Sequence, residues 1–158
     1  MTNHQNTEIM RLSDQFSRSI KGPAWPSPAL LEILEGISAR EARAARLNDS
    51  HSLWEILLHI TARIRITREA MEGKSIPEKV PEAEDWPAVP ESTPENWEKN
   101  RAELMVEVAK LEMILGVAGD ALLAETVPGR DYNYYILLHG LVQHNYYHSG
   151  QIILLKRA

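Results

Sequence analysis

Residues 133–156 read NYYILLHGLVQHNYYHSGQIILLK, and the fold turns on how they fold. Tyr134, Ile136, Leu137, Leu141, Val142, Ile152, Ile153, Leu154 and Leu155 spread apolar surface over much of a helical circumference. A helix of this kind is buried on more than one side, either centrally in a bundle or at a dimer interface. His144 and His148 lie within it, four residues apart, so both rings fall on one face one turn apart. Their nitrogens can converge on one ion at about 2.0–2.1 Å. The same face carries Gly140, Tyr147 and Gln151. A glycine one turn before His144 leaves room for a facing helix, a water or a substrate. Two histidines at this spacing also describe an ordinary half-buried polar stripe, so the pair alone does not define a site.

Working outward, a second long helix is expected from Ser50 or Ser52 to Glu72, ended by Gly73. Ser52 and Glu55 have capping-box spacing, and Leu53, Ile56, Leu57, Ile60, Ile64 and Met71 recur at helical intervals. His59 sits in its interior between leucine and isoleucine, with Glu55 one turn before it and Arg63 one turn after. By itself it reads as a core histidine satisfied by a single partner. Beside the terminal pair it supplies a third imidazole from a facing helix, the way bundle cores build metal sites. His139 is five residues before His144, a step of about 140°, and so faces away. His51 is placed to cap the helix or line a cavity mouth. His4 is expected to be disordered.

The remaining chain also reads as helical. Thr7 caps a first helix running to about Ile20, with Ile9, Met10, Leu12, Phe16 and Ile20 as its apolar stripe. The segment 22–28, GPAWPSP, breaks it. A short helix is expected over Pro28–Glu35 with Ser27 as cap, and another turn from the Ser38–Glu41 box through Arg46. Residues 74–91 are rich in Pro, Glu and Asp and form a long connection, with Trp86 as its anchor on the bundle. Thr93-Pro94 opens a third long helix that reaches about Leu115. Gly116 and Gly119 follow it, and Pro128-Gly129 marks a turn before the last helix.

Composition narrows the function. The 158 residues, 44% of them hydrophobic, suit one domain over 1–158 with a sizeable core. A net charge of −5 argues against a nucleic-acid partner, which requires a basic face. The chain has no cysteine, which removes disulfides, thiolate metal sites and a cysteine nucleophile. Any metal is left to nitrogen and oxygen ligands. No segment approaches the roughly 20 apolar residues of a membrane span, and the cytoplasm is the default location.

The stretch Ser52-Leu53-Trp54-Glu55-Ile56-Leu57-Leu58-His59-Ile60 resembles the second-helix signature of the DinB/YfiT-like four-helix-bundle metalloproteins. Residues His139 to Ile152 resemble its last-helix signature, of the form H-x3-H-x2-Q-I, and the Gly-Pro-Ala-Trp segment after the first helix fits one branch of it. The resemblance implies an all-α, up-down-down-up four-helix bundle with short extra helices between the first two long ones, and frequent homodimers. It implies a divalent ion, zinc or nickel foremost with iron or manganese as further options, held by His59, His144 and His148. Some relatives are transferases and isomerases that use a low-molecular-weight thiol.

Three neutral imidazoles leave an ion its full charge and an open position, as catalytic zinc sites do. A bound water or thiol can then ionise near neutral pH. Glu55 and Gln151 are the candidates to orient the imidazoles, and Tyr147 is a candidate to reach the same cavity. Their plain alternatives are a helix cap, a solvated amide and a packing ring. The expected function is a divalent-metal-dependent enzyme acting on a small molecule, either a thiol-dependent S-transferase or a hydrolase. A non-catalytic helical protein that binds a metal or a small molecule is the alternative.

Overall fold

A computed structural model describes residues 7–157 apart from Pro26, Ala45 and Asp49. Four long helices form the body: α1 (Glu8–Lys21), α4 (Leu53–Met71), α6 (Pro94–Val117) and α7 (Tyr134–Arg157). Three short helices lie between them: α2 (Leu30–Leu34), α3 (Ala39–Ala44) and α5 (Glu82–Asp85). A 3-10 turn spans Asp120–Ala124. Among the described residues the only strand-like pairing is an isolated bridge between Thr126 and Asn133.

Side-chain pairs fix the topology. Asn145 of α7 donates to Ser19 of α1 at 3.0 Å, and His139, earlier on α7, lies 3.6 Å from Glu8, earlier on α1. These two helices therefore run parallel. Lys21 pairs with Glu112 while Glu8 and Ile9 donate their backbone amides to Asp120, so α1 and α6 are antiparallel. Trp54 meets Asn100 and Arg68 meets Glu107, which makes α4 parallel to α6. Tyr134, at the start of α7, donates to the carbonyl of Ala70, near the end of α4. The order is up-down-down-up, as the family resemblance implies, and the long 72–93 connection is what allows α4 and α6 to share a direction.

Local chemistry explains where α4 begins. Ser52 Oγ accepts from the Glu55 amide at 3.2 Å, and Glu55 returns a carboxylate to the Ser52 amide at 2.6 Å. Two of the amides a helix start leaves open are thus satisfied. Ser52→Ala is expected to cost about 1 kcal/mol, read as a lowered denaturant midpoint with an unchanged slope. Thr93 caps α6 in the same way, accepting from the Asn96 amide, with Pro94 in its first turn. The start of α2 differs from expectation: Ala29, not Ser27, is its cap residue, and Glu32 reaches back to the Ala29 amide at 2.7 Å. The glutamate supplies the cap that a serine side chain was expected to give.

The core runs through the bundle from Ile9, Leu12, Phe16 and Ile20 of α1 to Leu104, Val108, Leu111 and Leu115 of α6, all buried. Trp54 and Trp97 meet edge to face at 5.1 Å within it. Each indole N–H has a partner, Trp54 with Asn100 Oδ1 and Trp97 with the Ile37 carbonyl, as a buried indole requires. A smaller cluster closes the other end of α4: Ala70, Ile76, Val80, Val127 and Tyr134. It pins residues 75–80 and the 127–130 turn together, and Ile76 donates its amide to the Pro128 carbonyl. No helix among the described residues is long and apolar enough to cross a membrane.

Candidate metal centre

α4 and α7 pack against each other in the bundle, and His59, His144 and His148 meet in that seam. One nitrogen from each lies within 4.8 Å of the other two. The Nε2 atoms of His59 and His144 are 2.9 Å apart, less than twice a metal–nitrogen bond of about 2.0–2.1 Å. His59 and His148 are buried, at 4% and 5% exposure, and His144 is half-buried. Among the described residues these three form the cluster able to hold an ion.

The outer nitrogens show how the rings are oriented. His148 Nδ1 lies 2.7 Å from Gln151 Oε1 and donates to it, since an amide oxygen only accepts. His59 Nδ1 donates to the Asp85 carbonyl at 2.7 Å, with the Asp85 carboxylate 3.1 Å away. Donation from Nδ1 leaves the Nε2 lone pair of both rings free to face inward. This is the tautomer a ligand imidazole needs, and it is fixed by outer hydrogen bonds in the manner typical of metal-ligating histidines. His144 Nδ1 is buried with no hydrogen-bond partner among the described residues. With all donors nitrogen and none of them charged, the donor set fits a divalent ion.

Electrostatics favour the neutral, ligating form. Burial, reinforced by the neighbouring His148 and His59 rings, pushes His144 down to about 3. Burial pushes His148 down to about 4, against the opposing effect of the hydrogen bond it donates to Gln151. His59 is lowered too, first by burial, with the Asp85 carbonyl and carboxylate acting the other way. An unfolded histidine takes up its proton near pH 6.5. Below that pH the unfolded chain binds more protons than the folded one, so stability falls as pH falls. The metal-free protein is expected to hold its stability above pH 6.5 and lose it progressively toward pH 4 and then 3. Denaturant melts across that window check this, and a flat profile would contradict the depressed values.

Asp85 escaped the sequence reading. It sits at the end of α5, 26 residues from His59, and no spacing rule links the two. The neighbouring Trp86 does act as the expected anchor, and it lies directly on the site. Its indole stacks on His59 at 3.9 Å and on His51 at 3.6 Å, nearly parallel to each. Residues 74–91 thus deliver both a hydrogen-bond acceptor and an apolar cover to one ligand ring. The connection is also less irregular than expected, since Glu82–Asp85 forms a helical turn.

The other candidates separate. Gln151 touches His148, and its Nε2 donates to the Tyr147 hydroxyl at 3.2 Å. Tyr147 lines the cavity, with its side chain largely exposed. Glu55 turns to other partners: its carboxylate accepts from the Ser52 amide and from Arg46 at 3.1 Å, with His51 3.9 Å away. A helix cap occupies it, and among the described residues it makes no hydrogen bond to the three imidazoles. His139 faces Glu8 and Tyr135, away from the site as its angle predicted. His4 lies outside the described residues.

The three rings open onto a cavity of about 880 Å³ between α4 and α7. Leu47, Ile56, Leu154 and Leu155 line one part, and Ile66, Ile76, Ile136 and Leu137 another. That size and lining are ordinary for a small-molecule site.

No curated protein and no solved structure matches the chain significantly. The DinB superfamily matches it over residues 27–152. That span holds all three histidines, the whole of α4 and most of α7. With the bundle topology and the histidine geometry agreeing with the match, the chain belongs to the DinB superfamily.

Proposed function

We propose that the protein is a divalent-metal-dependent enzyme that joins a small thiol to an apolar electrophile. The observation that carries this reading is three neutral imidazoles, from two helices, converging at the wall of an open apolar cavity. His59, His144 and His148 would hold a divalent ion there, which would supply Lewis acidity and positive charge next to the cavity, with no fourth protein ligand among the described residues to close the site. The chain has no cysteine, so a sulfur nucleophile must come from solution.

The chain's own contribution is orientation and exclusion of water. Asp85 and Gln151 hold two of the rings in the ligating tautomer. Trp86 covers His59, and the aliphatic walls lower the local dielectric, which strengthens every charge interaction inside. In the transfer, the thiol sulfur forms a bond to an electrophilic carbon, the leaving group departs with its electron pair, and the thiol proton passes to solvent.

The test is metal analysis of the purified protein followed by a conjugation screen of small thiols against apolar electrophiles. Turnover that needs both thiol and metal is the expected result. Turnover of esters or amides with water alone would move the assignment to a hydrolase. A protein that loses much stability on chelation, with no turnover and unchanged ligand binding, would make the ion structural.

A further inference from the structure

Two arginines line the cavity beside the three histidines, Arg63 and Arg130. They differ in what neutralises them. Arg63 is paired with the Asp85 carboxylate. Arg130 has no carboxylate partner among the described residues. Its Nη1 donates to the Glu78 carbonyl at 2.9 Å, its guanidinium lies 6.0 Å from the Tyr132 ring centre, and its Nε is buried with no hydrogen-bond partner. A partly buried cation with an orphaned donor is costly to keep, and the fold nevertheless holds it firmly. The 127–130 turn is clamped by the Ile76 amide on the Pro128 carbonyl, and Gly129, at φ +78°, lies so close to Ser75 and Ile76 that a Cβ there would meet their atoms at 2.3 and 2.4 Å.

Arg130 stands apart from the metal centre along the groove. The cavity wall nearest it in sequence is Tyr132, Ile136 and Leu137. Ile136 and Leu137 precede His144 by two turns, roughly 11 Å along the helix. Between the two stations α7 offers Gly140 and Leu141, and α4 offers Ile66 with Thr67 and the Asp85-paired Arg63; a Cβ at Gly140 would meet nothing within 4 Å, so the groove is open there. A largely apolar channel with a reactive centre at one station and, at another, a guanidinium with no carboxylate partner among the described residues selects for shape and charge together.

We propose that the cavity takes an amphipathic organic acid, whose carboxylate binds Arg130 and whose apolar body lies along Ile66, Ile136, Leu137 and Gly140 toward the histidines. This rests on reading the three histidines as the reactive centre. A single guanidinium, with one N–H already given to Glu78, suits one carboxylate in a forked contact. A phosphate dianion would call for more donors than this end of the cavity offers.

Calorimetric titration of the metal-free protein with octanoate tests the anchor without any metal chemistry. Octanoate is expected to bind the wild type, and octylammonium, of the same length and opposite charge, is not. Arg130→Gln is expected to weaken octanoate binding about tenfold or more, Arg130→Lys to fall between, and Arg40→Gln, an exposed arginine outside the cavity, to bind as the wild type does. Helical circular dichroism and a thermal melt establish that each variant is folded, and Arg130→Lys carries the comparison if the glutamine variant is not. Equal binding of octanoate to wild type and both Arg130 variants, or binding to none, would overturn the proposal. Uptake of added zinc by the same proteins is read in parallel: wild-type protein that takes up no ion but shows Arg130-dependent octanoate binding would sink the enzyme reading alone.

Discussion

Metal content in His148→Ala protein is expected to drop from about one divalent ion per chain to near none after dialysis, an estimate that follows from a one-site, three-ligand centre. The ring is buried at 5% exposure, is held in its ligating tautomer by Gln151 and sits within reach of both partner nitrogens. Alanine removes one of three ligands and leaves Gln151 Oε1 without its donor. The two remaining imidazoles come from different helices, and the neighbouring Asp85 carboxylate lies on the outer, Nδ1 side of His59 and is paired with Arg63. The fold itself should survive, since the variant removes a polar ring from the cavity wall and not a member of the main apolar core. Elemental analysis beside circular dichroism reads both quantities. Full occupancy in the variant would take His148 out of the ligand set.

The largest loss of stability is expected from Trp54→Ala. The indole is fully buried and packs edge to face on Trp97. Its truncation removes a large apolar volume from a region with little freedom to collapse, and replacements of this kind cost about 3–5 kcal/mol. It also strips Asn100 Oδ1 of its donor inside the protein. Against a total stability of about 5–15 kcal/mol for a domain, the variant should unfold at much lower denaturant. Trp54→Phe separates the two effects: most of the packing remains, only the hydrogen bond is lost, and a cost nearer 1–3 kcal/mol is expected for the unsatisfied amide. If Trp54→Ala melts within 1 kcal/mol of the wild type, which would be small for a site of this burial, Trp54 is not the keystone its packing indicates.

The helices were legible because their ends are written in short-range chemistry. Ser52 with Glu55 and Thr93 with Pro94 announce helix starts through bonds that span three residues, and the sequence displays those spacings directly. The facing of His144, His148 and Gln151 follows from helical period alone. That His59 would meet them needed the bundle, because the contact joins residues 85 apart, and the family signature supplied what periodicity lacked. Asp85 was invisible for the same reason with no signature to help: its carbonyl, a group every residue has, makes the hydrogen bond. For Glu55 the spacing offers two roles at one position, one turn from His59 and three residues from Ser52, and the cap is the contact that forms. Arg130 lies in a turn whose placement depends on the cluster around Ile76 and Val127, a long-range arrangement that composition does not reveal.

The separation of the three histidines along the chain has a consequence for how the protein matures. A cation gripping α4 and α7 at once would act as a crosslink across a segment of 85 residues, and closing so long a loop is where such a clasp gains most against the disordered chain. During synthesis α4 emerges well ahead of α7, so the newly made half-protein carries only His59 of the three clustered imidazoles. Loading would therefore be confined to chains whose final helix has already docked, and the ion would reward completed folding instead of guiding it.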